Sequence, residues 1–131
     1  MQYALTIYDD QSKWGELPPE QPRATSEAYA RLTEEMRAAG VFRAGEGLQP
    51  VTTATTVRAP NGERLVTDGP FAETKEQLAG YYLVDVANLD EAIAAAAEIP
   101  GALNGTVEVR PIMDYEAMGR AVPGEAQGAR A

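Results

Sequence analysis

The side chains able to do chemistry in this chain are carboxylates, tyrosine hydroxyls, guanidinium groups and lysines. Among its 131 residues there is no histidine and no cysteine. That removes the commonest general acid–base group near neutral pH, and with it thiolate catalysis, disulfides and cysteine-ligated zinc. The remaining reactive groups gather at Val66-Thr67-Asp68-Gly69-Pro70-Phe71-Ala72-Glu73-Thr74-Lys75-Glu76. Asp-Gly-Pro reverses a chain: Asp bonds the backbone that follows it, Gly permits positive φ, and Pro fixes φ while removing a donor. Phe71, one of two phenylalanines, is expected to anchor this turn and so to hold Asp68, Glu73, Lys75 and Glu76 in place. Loops fixed on a rigid scaffold often carry function. The stretch reads as a rigid structural corner, with the rim of a ligand pocket as the sharper alternative.

Other groups extend the candidate set. Glu46, Asp68, Glu73 and Asp85 could form an acidic site for a hard cation, but no spacing matches a metal loop, so neither metal nor cofactor is assigned. Arg110 and Arg58 sit in strand-like runs, where each could bind a ligand carboxylate or phosphate or pair with Glu108 or Glu46. Tyr3, Tyr8, Tyr81 and Tyr82 could orient a phenolic or acidic ligand, or simply pack. Lys75 is a proton donor, a Schiff-base lysine or a partner for a nearby carboxylate. The pocket candidates are therefore Asp68, Pro70, Phe71, Glu73, Tyr8, Glu46, Tyr82 and Arg110. Asp68 would act as a base only if burial raised its pKa.

Bulk properties exclude several classes of function. The net charge is −9 and the eleven Lys and Arg are scattered, so no basic stripe exists for nucleic acid. No apolar run is long enough for a membrane span. The chain enters a strand pattern at its first residues with no basic leader, which favours the cytoplasm. Its length suits one domain with a small core.

These groups must be held by regular elements. Gln2 to Tyr8 alternates as a strand. Residues 9 to 24 are polar and proline-rich, a long loop that could cover something. Thr25 or Ser26 is placed to cap a helix carrying Tyr29, Leu32 and Met36 on one face, ending at Gly40. A short strand follows, Val41 to Gly47. Thr52 to Ala59 and Arg64 to Thr67 form a hairpin about Pro60-Asn61-Gly62-Glu63. Gly80 to Val86 is the most apolar strand. Asn88 caps a second helix, with Glu91 three residues on and Leu89, Ile93, Ala96 and Ala97 as its buried side. Gly105 to Ile112 is the last strand. Residues 1–116 form the domain and 117–131 a flexible tail, most clearly from Val122.

The order is βαβ-ββ-βαβ, an α+β ferredoxin-like layout with an antiparallel sheet and both helices on one face. The other face is then bare. Tyr3, Ile7, Val57, Tyr81, Tyr82 and Val109 are candidates for it, because alternation alone does not say which parity faces out. A second copy of the chain, sheet against sheet, is the simplest cover. A homodimer is therefore expected, with the Asp68 loop at the mouth of the enclosed space.

The residues also match a family pattern. Tyr3 to Tyr8, Ala38-Ala39-Gly40-Val41, Gly45 to Pro50, Val66 to Glu76, Gly80 to Asp85 and Val107 to Ile112 together resemble the YCII-related family in its DGPF-domain branch. The resemblance spans about residues 2 to 113. It implies a dimeric α+β barrel in a bacterial cytoplasm, and many relatives are associated with extracytoplasmic-function sigma factors. Some members outside this branch look like enzymes that remove chloride from a chlorinated hydroxyhydroquinone, using a His–Asp dyad. Matching the dyad's neighbourhoods onto Tyr29-Ala30-Arg31-Leu32 and onto Pro100 puts Ala28 and Ile99 in the two positions. That mechanism does not transfer, and whether the chain is an enzyme stays open.

Two functions follow from these readings. One is a pocket at the barrel mouth for a small organic ligand, with or without a reaction. The other is a non-catalytic accessory or regulatory protein acting by protein contact, with a sigma factor as one partner class.

Overall fold

The computed structural model describes residues 1–120. Strand β1 (Gln2–Asp9) leads through a 3-10 turn at Gln11–Glu16 into helix α1 (Gln21–Ala38). Strand β2 (Phe42–Gly47) and a 3-10 turn at Val51–Thr53 precede β3 (Thr55–Arg58) and β4 (Leu65–Asp68). Then come β5 (Gln77–Asp85), α2 (Leu89–Ala97), the short α3 (Gly101–Asn104) and β6 (Thr106–Pro111). Of the tail expected over residues 117–131, positions 121–131 lie outside the described residues.

Four strands form one sheet in the order β2-β5-β1-β6, and β3 and β4 form a separate two-stranded sheet. All pairings are antiparallel. This is an α+β arrangement compatible with the ferredoxin-like plan, with β3–β4 as the inserted hairpin. The hairpin turns through Asn61 at φ 55°, as its Pro-Asn-Gly sequence predicts.

The helices settle which parity of each strand is buried. Tyr3, Leu5 and Ile7 of β1 and Tyr82 and Val84 of β5 are buried in one cluster with Leu32 and Met36 of α1 and Ala92 and Ala96 of α2. Leu5, Val84 and Ile99 are its largest fully buried side chains; each contributes about 1.5–3 kcal/mol by leaving water. Of the residues considered for the bare face, Tyr3, Ile7 and Tyr82 are thus core, and Val109 packs against the core. Val57 belongs to the hairpin. Tyr81 alone lies on the open face.

Two helix expectations are corrected. Helix α1 starts at Gln21, with Pro22 in its first turn and no side-chain cap. Proline is tolerated there because that N–H has no intrahelical partner, so a proline-rich stretch was compatible with a helix start. Helix α2 is capped as expected, Asn88 Oδ1 accepting from the Glu91 N–H at 3.0 Å. Its buried stripe, however, is Ala92 and Ala96, while Leu89 and Ile93 are about half exposed, at 49% and 50%. The small residues face inward because they let the helix axis approach the sheet closely.

Candidate functional site

The open face of the sheet is built by register. Glu46 of β2 sits opposite Tyr81 of β5, Tyr81 opposite Thr6 of β1, and Thr6 opposite Glu108 of β6. The next row along is Ala44, Leu83, Ala4 and Arg110. Strand alternation puts these side chains on the side away from the helices. Ala4, Thr6, Tyr81 and Leu83 in the middle are half-buried, and Glu46, Glu108 and Arg110 on the edge strands are exposed. The face thus has an apolar and aromatic centre with a charged rim. Tyr8 shares this side of β1 but stands opposite Leu78 and Thr106, beyond a register shift after Ile7.

Tyr82 points the other way. Its hydroxyl is 2.8 Å from Thr33 Oγ1, its ring stacks on Tyr29 at 6.4 Å between centroids, and Phe42 meets it edge-on at 6.3 Å. A Cβ at Gly45 would come 2.8 Å from this ring, so the bare backbone of Gly45 lets β2 close over it. The neighbouring Tyr29 hydroxyl accepts a hydrogen bond from the Gly101 N–H at 3.1 Å. Burial pushes the Tyr29 pKa above its ordinary value, which keeps this phenol neutral.

The Asp68 stretch leaves the end of β4. Thr55 and Asp68 are cross-strand partners, and Gly69 has φ +99°, a conformation that favours glycine. The turn is held by backbone and a threonine: the Gly69 N–H donates to Ala54 O, and Thr56 Oγ1 donates to Gly69 O, both at 2.8 Å. Phe71 was expected to anchor it, yet the ring is 79% exposed. Asp68 and Glu73 are exposed and Pro70 is half-buried. Within one chain, then, this loop is geometrically fixed but stands open to solvent.

Gln11 ties the loop's root to the main sheet, a role no sequence pattern announced. Its backbone N–H donates to Gln77 Oε1 at 3.0 Å, and its Oε1 accepts from the Val51 N–H at 2.8 Å. Gln77 in turn donates to Thr74 O at 2.5 Å. The side chains of Gln11 and Gln77 together therefore join the segment after β1, the start of the hairpin and the end of the Asp68 loop. The Gln11 Nε2 is buried without a protein partner among the described residues.

Asp85 lies at the opposite end of β5 from Gln77, about 27 Å along an extended strand. It accepts from the Met1 ammonium and from Arg43 Nη2, both at 3.2 Å. The hydrogen bond from the terminal ammonium, with the charges of that group and Arg43, holds its carboxyl below the usual carboxylate range. Asp85 is thus committed at the far end, and the four carboxylates considered above do not converge. Among the described residues no cluster of three acidic groups takes metal-holding geometry. Neither Arg58 nor Arg110 forms an ion pair there; both described pairs use Asp85.

Two hollows stand out among the described residues. One, of about 460 Å³, is lined by Met1, Gln2, Asp85 and residues 112–116. The other, of about 310 Å³, is a shallow apolar groove between α2 and β6 lined by Ile93, Ala96, Ala97, Ala102, Val107 and Val109. Neither includes Asp68 or another of the eight pocket candidates. No helix of the described residues is long and apolar enough to cross a membrane.

Residues 1–116 match the family model described as the YCII-related domain. The chain belongs to the YCII-related family. It is also 39% identical over 118 residues, 88% of this chain and 95% of the other, to the uncharacterized protein R00369 of Rhizobium meliloti (strain 1021). In this YCII-related chain the positions matched to the dyad of the dechlorinating relatives sit on the helix side. Ala28 is half-buried on α1, and Ile99 is 1% exposed in the core. Neither side chain can move a proton.

Proposed function

We propose that the protein is a homodimer that binds a small organic ligand, carrying an aromatic ring or a carboxylate, between two open sheet faces. The observation that carries this reading is the row Glu46–Tyr81–Thr6–Glu108, beside the row Ala44–Leu83–Ala4–Arg110, on the side of the sheet away from the helices of the described residues. Water is a poor neighbour for Leu83, Ala4 and the Tyr81 ring, and a second face removes it. In the enclosed space the Tyr81 ring stacks on an aromatic ligand. The Tyr81 and Tyr8 hydroxyls orient its polar groups, Arg110 receives a carboxylate from the rim, and Glu46 accepts from a phenol. The Asp68 loop, clamped at its root by Gln11, stands at the mouth. Its Asp-Gly-Pro-Phe run supports placement in the DGPF-type branch, and the Rhizobium meliloti relative supports a bacterial setting. A thermal-shift screen of phenols, aromatic acids and dicarboxylates tests the reading. A stabilising compound should lose its effect in Tyr81→Ala and keep it in Tyr82→Phe; a flat screen opposes the reading.

A second reading rests on a different surface. Leu103 is 84% exposed, and Leu89 and Ile93 of α2 are half exposed, Ile93 lining the groove along β6. Such a patch suits a protein partner, a sigma factor being the class the family resemblance suggested. Capture of that partner, abolished by Ile93→Asp, would support it.

A further inference from the structure

The hairpin β3–β4 is an arm without support. Its strands pair only with each other, and an isolated two-stranded hairpin is marginal in water. Val57 and Val66 stand directly opposite each other and are 58% and 60% exposed, with Leu65 and Phe71 also exposed. At the arm's outer end Arg58 and Arg64 form no ion pair among the described residues. In a chain of net charge −9, unpaired cations next to bare valines ask for an acidic, apolar counterpart. The open sheet face offers an apolar centre at Leu83 and Tyr81, with Glu46 and Glu108 at opposite rims in no ion pair among the described residues and Arg110 on the same rim as Glu108. The arm's root is tied to the start of β5, where the Leu48 N–H donates to Ala79 O and Gln11 bridges Val51 and Gln77, and its strands pair with none of the main sheet.

We propose that the hairpin is an exchange arm that packs on the second copy. In the two-fold dimer each arm lies along the rim of the other copy's open face, its Val57–Val66 side inward. Arg64, two residues before Val66 and so on its side of the ribbon, meets Glu46 or Glu108 of the partner subunit, and Phe71 closes the enclosed space from across the interface. Each binding space is then completed by residues of both copies. Symmetry favours this occupant, because one isologous contact covers two arms and two faces together and leaves neither exposed. The proposal rests on the face-to-face dimer proposed above and adds which segment crosses.

The absence of cysteine makes thiol cross-linking specific. Full-length Arg64→Cys and Glu46→Cys proteins are mixed, allowed to exchange subunits and treated with a short bis-maleimide. The mixture should give a covalent dimer of one copy of each, in excess of the product from either variant alone. As a second measurement, Arg58→Glu with Arg64→Glu should weaken the dimer by about tenfold or more through lost pairing and new repulsion, and Glu46→Lys with Glu108→Lys on the other copy should restore it. A dimer by light scattering with no excess cross-link and no charge effect overturns the arm while the face-to-face reading survives; the arm would then serve another partner. A monomer by light scattering overturns both.

Discussion

The Tyr82 hydroxyl and Thr33 Oγ1 are hydrogen-bonded at 2.8 Å, and both reach Tyr29 O, Thr33 at 2.9 Å and Tyr82 at 3.4 Å. This short chain, from β5 to α1, fixes Tyr82 as part of the core between helix and sheet. Its neighbour in sequence, Tyr81, serves the opposite face. Two adjacent tyrosines thus divide structure from the proposed binding surface.

Tyr82→Phe should lower stability by about 0.5–1.5 kcal/mol, the usual loss for one hydrogen bond whose partner is not fully buried. Chemical denaturation measures this. Tyr81→Phe should leave stability nearly unchanged and weaken any phenolic ligand instead.

Acid sensitivity should trace in part to Asp85. Its folded pKa is depressed below the ordinary 3.8, first by the terminal ammonium and then by Arg43. A depressed carboxylate contributes stability that is present above its unfolded pKa and is lost as pH falls through the folded value. Asp10, depressed chiefly by its hydrogen bond from the Ser12 hydroxyl, acts in the same direction. Asp85→Asn should therefore flatten the loss of stability below about pH 4, read from urea midpoints across the acid range. Tyr29 has the opposite sign. Its raised pKa preserves stability up to its unfolded value and loses it as pH climbs through the folded one, so Tyr29→Phe should soften alkaline unfolding.

Core and surface leucine-type positions should separate widely. Ile99→Ala, at 1% exposure, should cost about 2–5 kcal/mol. Leu103→Ala, on the neighbouring α3, should fall within about 0.5 kcal/mol. Thermal or urea unfolding of the two variants checks the contrast.

The Asp68 turn offers a paired test. Gly69→Ala places a side chain at φ +99° and should destabilise by about 1–2 kcal/mol. Asp68→Asn keeps the turn-forming side chain and removes its charge, so stability should stay within about 0.5 kcal/mol. A ligand that uses the loop should then bind less well to Asp68→Asn, by calorimetry, with the fold intact.

Much of the α+β plan was legible because its signals are local. Pro60-Asn61-Gly62 names a turn, Asn88 with Glu91 names a helix start, and Gly80 to Val86 alternates as a strand. Three things were not legible, for physical reasons. In β1 both Tyr3-Leu5-Ile7 and Ala4-Thr6-Tyr8 are apolar enough to be buried, so parity was decided by where α1 and α2 pack. In α2 the larger Leu89 and Ile93 suggested the inward side, but close approach to the sheet selected Ala92 and Ala96. Gln11 organises the loop root through backbone and amide bonds from segments some 40 and 66 residues away, a relation with no footprint in local sequence. Of the site candidates, register brings Glu46 and Arg110 onto the face of Tyr81 and Tyr8. Asp68, Pro70, Phe71 and Glu73 stay together on the loop, and Tyr82 goes to the core.

The central claim is that two copies bury their open sheet faces against each other. Light scattering of the unmodified chain and of Leu83→Glu, at micromolar concentration, tests it most directly. The unmodified protein should weigh twice its 14.0 kDa chain mass, and Leu83→Glu, a charge set in the middle of that face, should weigh a single chain while remaining folded. A single-chain mass for the unmodified protein, or a dimer that ignores the glutamate, would contradict the account.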